Sequence, residues 1–332
     1  MKPIHFASLL LTFPLLLAAC NSTDQKPSPP PPPPGSSQPA AQTATLNGVR
    51  VIDPSTYQLG VSAIDSTQAI VRNATLSKPT VSALSAGQAT AQVCGQIQSQ
   101  DVLTTAIALD STGSMASTDP GRLRQKAAQT FAGRMTSSDR AAVLSFDSAT
   151  SPTVGLSVAH LWQDFTGDQA LLTSGIDHAT FEGGGTPLYD AIIDANSLLK
   201  GTTGTNRSVL ILTDGSDNAS AHSPSDVIAA AKAQGTRVFA VGLDSSNSLN
   251  FSELERVASE TGGLFQKASD AKQLTTYFDH VYNAVSAQGC LQLNFTVRPI
   301  AGTNVTGTLG FTVSNSGKDD AQLSVPFTLT VR

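Results

Sequence analysis

Two carboxylates and three hydroxyls in three short segments define the chemistry that this sequence can offer. Asp110-Ser111-Thr112-Gly113-Ser114-Met115 closes an apolar run and sets a carboxylate and two hydroxyls at alternate positions. Gly183-Gly184-Gly185-Thr186-Pro187 precedes a helical pattern; its glycines permit an unusual backbone path, and Thr186 is expected to cap that helix with its hydroxyl on the same face. Thr213-Asp214-Gly215 ends a further apolar run and supplies the second carboxylate. Asp110, Thr112, Ser114, Thr186 and Asp214 together make a hard-oxygen shell. Such a shell suits Mg²⁺ or Mn²⁺, with Ca²⁺ a third hard cation of the same class, and leaves coordination positions for water or an incoming group.

Other chemistries fit less well. The five histidines are dispersed, and none forms a His-x-x-x-His or Cys/His set, which argues against zinc held by nitrogen and sulfur. An aspartyl-phosphate hydrolase with Asp110 as nucleophile would need a general acid two residues on, where Thr112 stands, and no Gly-x-Ser-x-Gly elbow is present. Asp119 reads as an N-cap, Asp147 as a strand end and Asp217 as a turn residue. Net charge is −5 with both signs scattered, so there is no basic stripe for nucleic acid.

The elements that must position the shell are legible as alternation. Val102–Leu109, Ala141–Phe146, Val209–Leu212 and Val238–Val241 are continuous apolar runs, as strands buried on both faces require. Helical stripes fill the gaps. Leu123, Ala127, Phe131 and Met135 recur on one face of 120–135, with Asp119 as expected N-cap and Pro120 as first helical residue, and Leu274, Phe278, Val281 and Val285 form another stripe. The pattern predicts an α/β fold with a doubly wound, mostly parallel sheet, whose ligands bind at the C-terminal strand ends.

Outside residues 101–288 the period changes to two. Leu291, Leu293, Phe295 and Val297 alternate with polar residues, as do Val325, Phe327, Leu329 and Val331; Val49 and Val51, then Leu59, Val61 and Ala63, do so more weakly. Neither flank has enough apolar residues for a core of its own. Residues 45–100 and 289–332 are therefore expected to pair into one small β-sandwich with the α/β domain inserted between its halves. Cys94 and Cys290, which flank the insertion, are expected to form a disulfide stapling the neck; two buried free thiols are the other state the sequence allows.

At the N-terminus, Lys2 and the apolar run Phe6–Leu17 lead to Leu17-Ala18-Ala19-Cys20. That order resembles a bacterial lipobox: residues 1–19 would be a signal peptide and Cys20 the acylated first residue of the mature chain. Residues 20–44, with six consecutive prolines from Pro29 to Pro34, then read as a stiff tether extending by about 3.1 Å per residue, or as a docking site for a proline-binding domain. Asn21 is not the aspartate linked to inner-membrane retention in some bacteria, which leans the expected location towards the outer membrane or the cell surface.

The three oxygen-bearing segments resemble the metal-ion-dependent adhesion site of von Willebrand factor A domains, whose Asp-x-Ser-x-Ser is read here as Asp110, Thr112 and Ser114, followed by Thr186 and Asp214. Thr112 departs from the pattern by a methyl group and keeps the hydroxyl. The resemblance implies a Rossmann-like fold over about residues 100–288 and a binding protein that is not an enzyme. It also implies direct metal contact by Thr112 and Ser114, and contact by Asp110, Thr186 and Asp214 directly or through water. The shell would be completed by a partner's Asp or Glu carboxylate. A passive envelope scaffold with a structural ion is the alternative.

Overall fold

The computed structural model describes residues 38–67, 69–100, 102–179, 183–215, 217–244, 249–268, 273–315 and 317–332, without the side chains of 274–276, 279 and 280. The expected signal peptide, Cys20 and the proline run lie outside the described residues, as does the side chain of Leu274. The chain opens with strands β1 (Ala41–Asp53), β2 (Thr56–Asp65), β3 (Thr75–Ser82) and β4 (Gln88–Ser99). There follow β5 (Thr104–Asp110), α1 (Met115–Thr118), α2 (Leu123–Gly133), β6 (Arg140–Phe146), β7 (Ala159–Thr166), α3 (Gln169–His178) and α4 (Leu188–Leu199). Next come β8 (Arg207–Thr213), α5 (Pro224–Gln234), β9 (Arg237–Leu243), α6 (Ser252–Thr261), β10 (Phe265–Ala268) and α7 (Gln273–Ser286). The chain closes with β11 (Ala287–Val297), β12 (Asn304–Ser314) and β13 (Ala321–Thr330).

The six-stranded central sheet runs β10-β9-β8-β5-β6-β7, parallel throughout except for β7. Its apolar runs are continuous because each strand serves two cores. Ile107 and Leu109 of β5, Leu210 and Leu212 of β8, and Phe239 and Val241 of β9 pack with Phe131 and Phe278 on one face. Ala106 and Ala108, Val209 and Ile211, and Val238 and Ala240 pack with Leu188, Ile192 and Leu254 on the other. Residues i and i+1 thus go to opposite layers, as the pleat demands. Among the described residues no helix is long and apolar enough to cross a membrane.

Two further sheets, β1-β2-β11-β4 and β13-β12-β3, face each other across a third core built from Tyr57, Leu59, Leu291, Leu293, Leu309 and Phe327. The α/β part leaves and re-enters this sandwich at one point, where Ser99 of β4 pairs with Ala287 of β11 and Gln100 N donates to Ser286 O at 3.0 Å. Cys94 and Cys290 are joined across the same two strands, with Cα atoms 5.0 Å apart and a sequence separation of 196. β1 already starts at Ala41, within the stretch read as tether, because Ala41 and Thr43 find partners in Asp65 and Ile64 of β2.

Two local expectations are corrected. The helix expected from Pro120 starts at Leu123, and Arg122 at its N-cap takes a left-handed φ of 50°. Asp119 reaches over this turn, accepting from Leu123 N at 2.8 Å and Arg124 N at 3.0 Å, so it caps the helix from a greater distance than the sequence suggested. Thr186 does not cap α4. Asp217 Oδ1 accepts from Leu188 N, and Ser220 Oγ accepts from Tyr189 N and Asp190 N, because the loop after β8 lies closer to those amides than the Thr186 hydroxyl does. Strands β3, β4, β7, β10 and β12 escaped the sequence reading; β10 is only four residues long, and β7 is a half-buried edge.

Reducing the bridge should destabilise the neck selectively. Replacing Cys94 and Cys290 with Ala is expected to cost roughly 2–5 kcal/mol by the chain-entropy estimate. Chemical denaturation of the two proteins measures it, and a difference under about half a kcal/mol would show that the strand pairing holds the neck alone.

Candidate functional site

β5 and β8 are parallel neighbours, with Leu109 in register with Leu212, so both chains turn out of the sheet at the same edge. That register brings Asp110 and Asp214 together. Asp110 is completely buried and Asp214 3% exposed. The oxygens form a continuous chain: Thr112 Oγ1 donates to Asp110 Oδ1 at 2.6 Å, the Thr112 and Ser114 hydroxyls are 3.2 Å apart, and Ser114 Oγ donates to Asp214 Oδ1 at 2.8 Å. Thr186 joins from the third segment. A Cβ built on Gly215 would lie 3.2 Å from Thr186 Oγ1, which places that hydroxyl over the backbone that follows Asp214. The structure therefore brings all five sequence-derived residues to one spot.

The loops are tied to each other by backbone and small polar groups. Gly183 N donates to Ser111 O at 3.3 Å, linking the glycine segment to the first loop, and Gly183 and Gly184 have φ of 99° and 83°, a region that favours glycine. Thr186 N donates to Asn218 Oδ1 at 2.7 Å and Asn218 N to Thr186 O at 3.1 Å, linking the second loop to the third. Asp147, after β6, accepts from Ser111 Oγ at 2.9 Å and from Ala149 N and Thr150 N, so it holds the first loop instead of facing the shell.

Three residues that matter here were not among the site residues expected from the sequence. Thr213 Oγ1 donates to Asp110 Oδ2 at 2.6 Å, so both Asp110 oxygens are engaged by hydroxyls. Thr118, one helical turn beyond Ser114, donates to Asp214 Oδ2; its spacing of four from Ser114 was the only clue. Arg124 is wholly buried on α2 and paired with Asp119 at 3.1 Å. Burial lowers the Arg124 guanidinium from its usual value, while Asp119, then Asp110 and Asp214, hold it up, so a fixed cation lies within reach of both shell carboxylates.

Electrostatics set the character of the site. Burial first, and the Asp214 charge second, push the Asp110 carboxyl up to about 6, against the hydrogen bonds from Thr112 and Thr213 that favour its anion. Two carboxylates and three hydroxyls, with no nitrogen or sulfur among them, fit a hard divalent cation, which would offset the repulsion that raises Asp110. Among the described residues no group of three or more His, Cys, Asp or Glu gathers to hold a metal.

Residues 106–280 match the family of the von Willebrand factor type A domain. No curated protein matches the chain. Similar solved structures include proximal thread matrix protein 1 from the mussel byssus with a zinc-occupied MIDAS motif, at 20% identity over 59% of this chain and 49% of that one, TM-score 0.49. Others are a von Willebrand factor type A protein from Catenulispora acidiphila, at 12% identity over 87% and 74%, TM-score 0.47, and BatB from Bacteroides thetaiotaomicron, at 15% identity over 55% and 98%, TM-score 0.43. The chain spans about half the length of the mussel protein.

The raised Asp110 has a thermodynamic sign. Its folded-state value of about 6 exceeds the ordinary 3.8, so its contribution to stability is fully present below 3.8 and is lost as pH rises through about 6. In chelator, Asp110→Asn is therefore expected to gain stability relative to wild type between pH 4 and 7, on the order of 3 kcal/mol. Parallel melting curves for both proteins across that range measure the gap; a gap independent of pH would remove the buried, repelled carboxylate.

Proposed function

The chain belongs to the von Willebrand factor type A domain family, and on that premise we propose that it is a lipid-anchored binding module that captures an external carboxylate through a divalent cation. The observation that carries the reading is the meeting of Asp110 and Asp214 with three hydroxyl side chains at one sheet edge. Thr112 and Ser114 would contact Mg²⁺ or Mn²⁺ directly, and Asp110, Thr186 and Asp214 directly or through water. A bound ion would supply positive charge in excess of what neutral hydroxyls cancel, and so attract an Asp or Glu of a partner.

This chain's own residues do the positioning. Thr213 and Thr112 hold the two oxygens of Asp110, Thr118 and Ser114 hold those of Asp214, and the Thr186–Asn218 pair fixes the second loop to the third. The same engagement argues for binding over catalysis. A nucleophilic aspartate needs an approachable oxygen and an acid beside it; Asp110 is completely buried, and position 112 holds a threonine. The N-terminal segment completes the proposal: Cys20 would carry lipid, and the proline run would hold the folded part off an outer membrane or cell surface.

Asp110→Ala or Thr186→Ala is expected to weaken Mn²⁺ binding by at least about a hundredfold while the fold in chelator is retained, since a lost first contact to a metal costs that much or more. Titration calorimetry reads the affinity and circular dichroism the fold. A pull-down from envelope extract with and without chelator reads the partner. Partner capture that persists in excess chelator sinks the adhesion reading; loss of metal with general unfolding would mark a structural ion instead.

The anchor is tested separately. Cys20→Ser should leave the protein unprocessed or move it from the membrane to the soluble fraction, and unchanged fractionation with no lipid label on the wild type would exclude acylation.

A further inference from the structure

At the end of the central sheet opposite Asp110 and Asp214 lies a cavity of about 430 Å³, walled by the sandwich on one side and the α/β part on the other. Its charged lining is lopsided. Arg50 comes from β1, Lys232 from the last turn of α5, Arg237 from the first residue of β9, and among the described residues that line it the only carboxylate is Glu260. Glu260 is itself shared, at 3.1 Å from Lys232 Nζ and 3.5 Å from Arg256 Nη1. In a chain of net charge −5, such a concentration of cations runs against the average.

Arg237 is the central feature. It lies deep enough among protein atoms that burial pushes its guanidinium down to about 10, yet it keeps part of its surface on the cavity. Its hydrogen bonds go to neutral oxygens: Nη1 donates to Gln288 Oε1 at 2.9 Å and Ala284 O at 3.4 Å, and Nη2 to Asn206 Oδ1 at 2.6 Å. A guanidinium has five N–H donors, so Nε and one Nη2 hydrogen have no protein acceptor among the described residues. The group is rigidly held. It stacks 5.6 Å from the Phe239 ring, and Gln288 sits against Gly60, where a Cβ would fall 1.8 Å from the Gln288 amide. Arg50, exposed on β1, has no ion pair among the described residues.

The opposing terms are smaller. The C-terminal ends of α5 and α6, at Gly235 and Gly262, also border the cavity, and each carries about half a negative charge. Three cations against Glu260 and two such ends leave a surplus of about one positive charge. A buried cation without a charged partner is costly, and a preformed cavity lined by its unused donors is what an anion would fill.

We propose that this cavity binds a small solute bearing phosphate or carboxylate groups, with Arg50 and Lys232 at its mouth and Arg237 in its floor. It is independent of the cation shell, which sits at the other end of the sheet.

The test uses the full chain freed of divalent cations, titrated calorimetrically at fixed ionic strength with pyrophosphate, with citrate, and with phosphatidylglycerol vesicles. Saturable one-to-one uptake of pyrophosphate or citrate is expected. Arg50→Ala and Lys232→Ala should each weaken it by about tenfold, the loss of one charge-assisted contact, and should melt like wild type without anion because both side chains are exposed. Failure of both free anions to bind saturably overturns the proposal. So does equal binding by the Arg50→Ala/Lys232→Ala double variant, and so does binding to the vesicles alone, which would mean a surface attraction instead of a cavity.

Discussion

Parallel strands that share a register end together, and here that constraint forces two carboxylates into one small, buried space. β5 and β8 bring Asp110 and Asp214 to the same sheet edge, where burial and mutual repulsion oppose ionisation. Much of the surrounding detail is a response to that conflict. Four hydroxyls, from Thr112, Thr213, Ser114 and Thr118, donate to the four carboxylate oxygens, and the Arg124 charge lies within electrostatic reach. Hydrogen bonds lessen the cost of burying two charges without cancelling it. A hard cation would cancel it, and that is the physical basis for reading the site as a receptor for metal and, through metal, for an outside carboxylate.

The sandwich answers a different problem. The α/β part is an insertion, and an insertion is stable only if its two chain crossings meet. They meet as adjacent antiparallel strands, with Ser99 opposite Ala287 and the Cys94–Cys290 bridge a short way along the same pair. The contact between the two parts is polar where it is open: Gly48 of β1 lies against the carbonyls of Gly262 and Gly263, and Arg237 ties β9 to Gln288 of β11. The cationic cavity lies between these parts, at the end of the sheet remote from the oxygen shell. The molecule thus presents two sites of opposite electrostatic character at opposite ends of one sheet.

What the sequence by itself determined was periodicity and donor chemistry. Short continuous apolar runs such as Val209–Leu212, bounded by turn residues, fit strands covered on both faces, and a period of two in Leu291–Val297 fits a strand covered on one; both follow from the pleat. The five oxygen-bearing residues that meet at the strand ends were equally legible as candidates, because a hard-oxygen shell needs residue types that the sequence states outright. Tertiary structure alone decided which neighbours serve those residues. Thr213 and Thr118 are ordinary threonines until the strand register and a helical turn aim them at Asp110 and Asp214. Asp217 looked like a turn residue and caps α4, while Thr186, which looked like the cap, is turned towards Gly215. The cationic cavity was invisible for the same reason: Arg50, Lys232 and Arg237 are scattered through the chain, and only packing the sandwich against the sheet brings their charges to one wall.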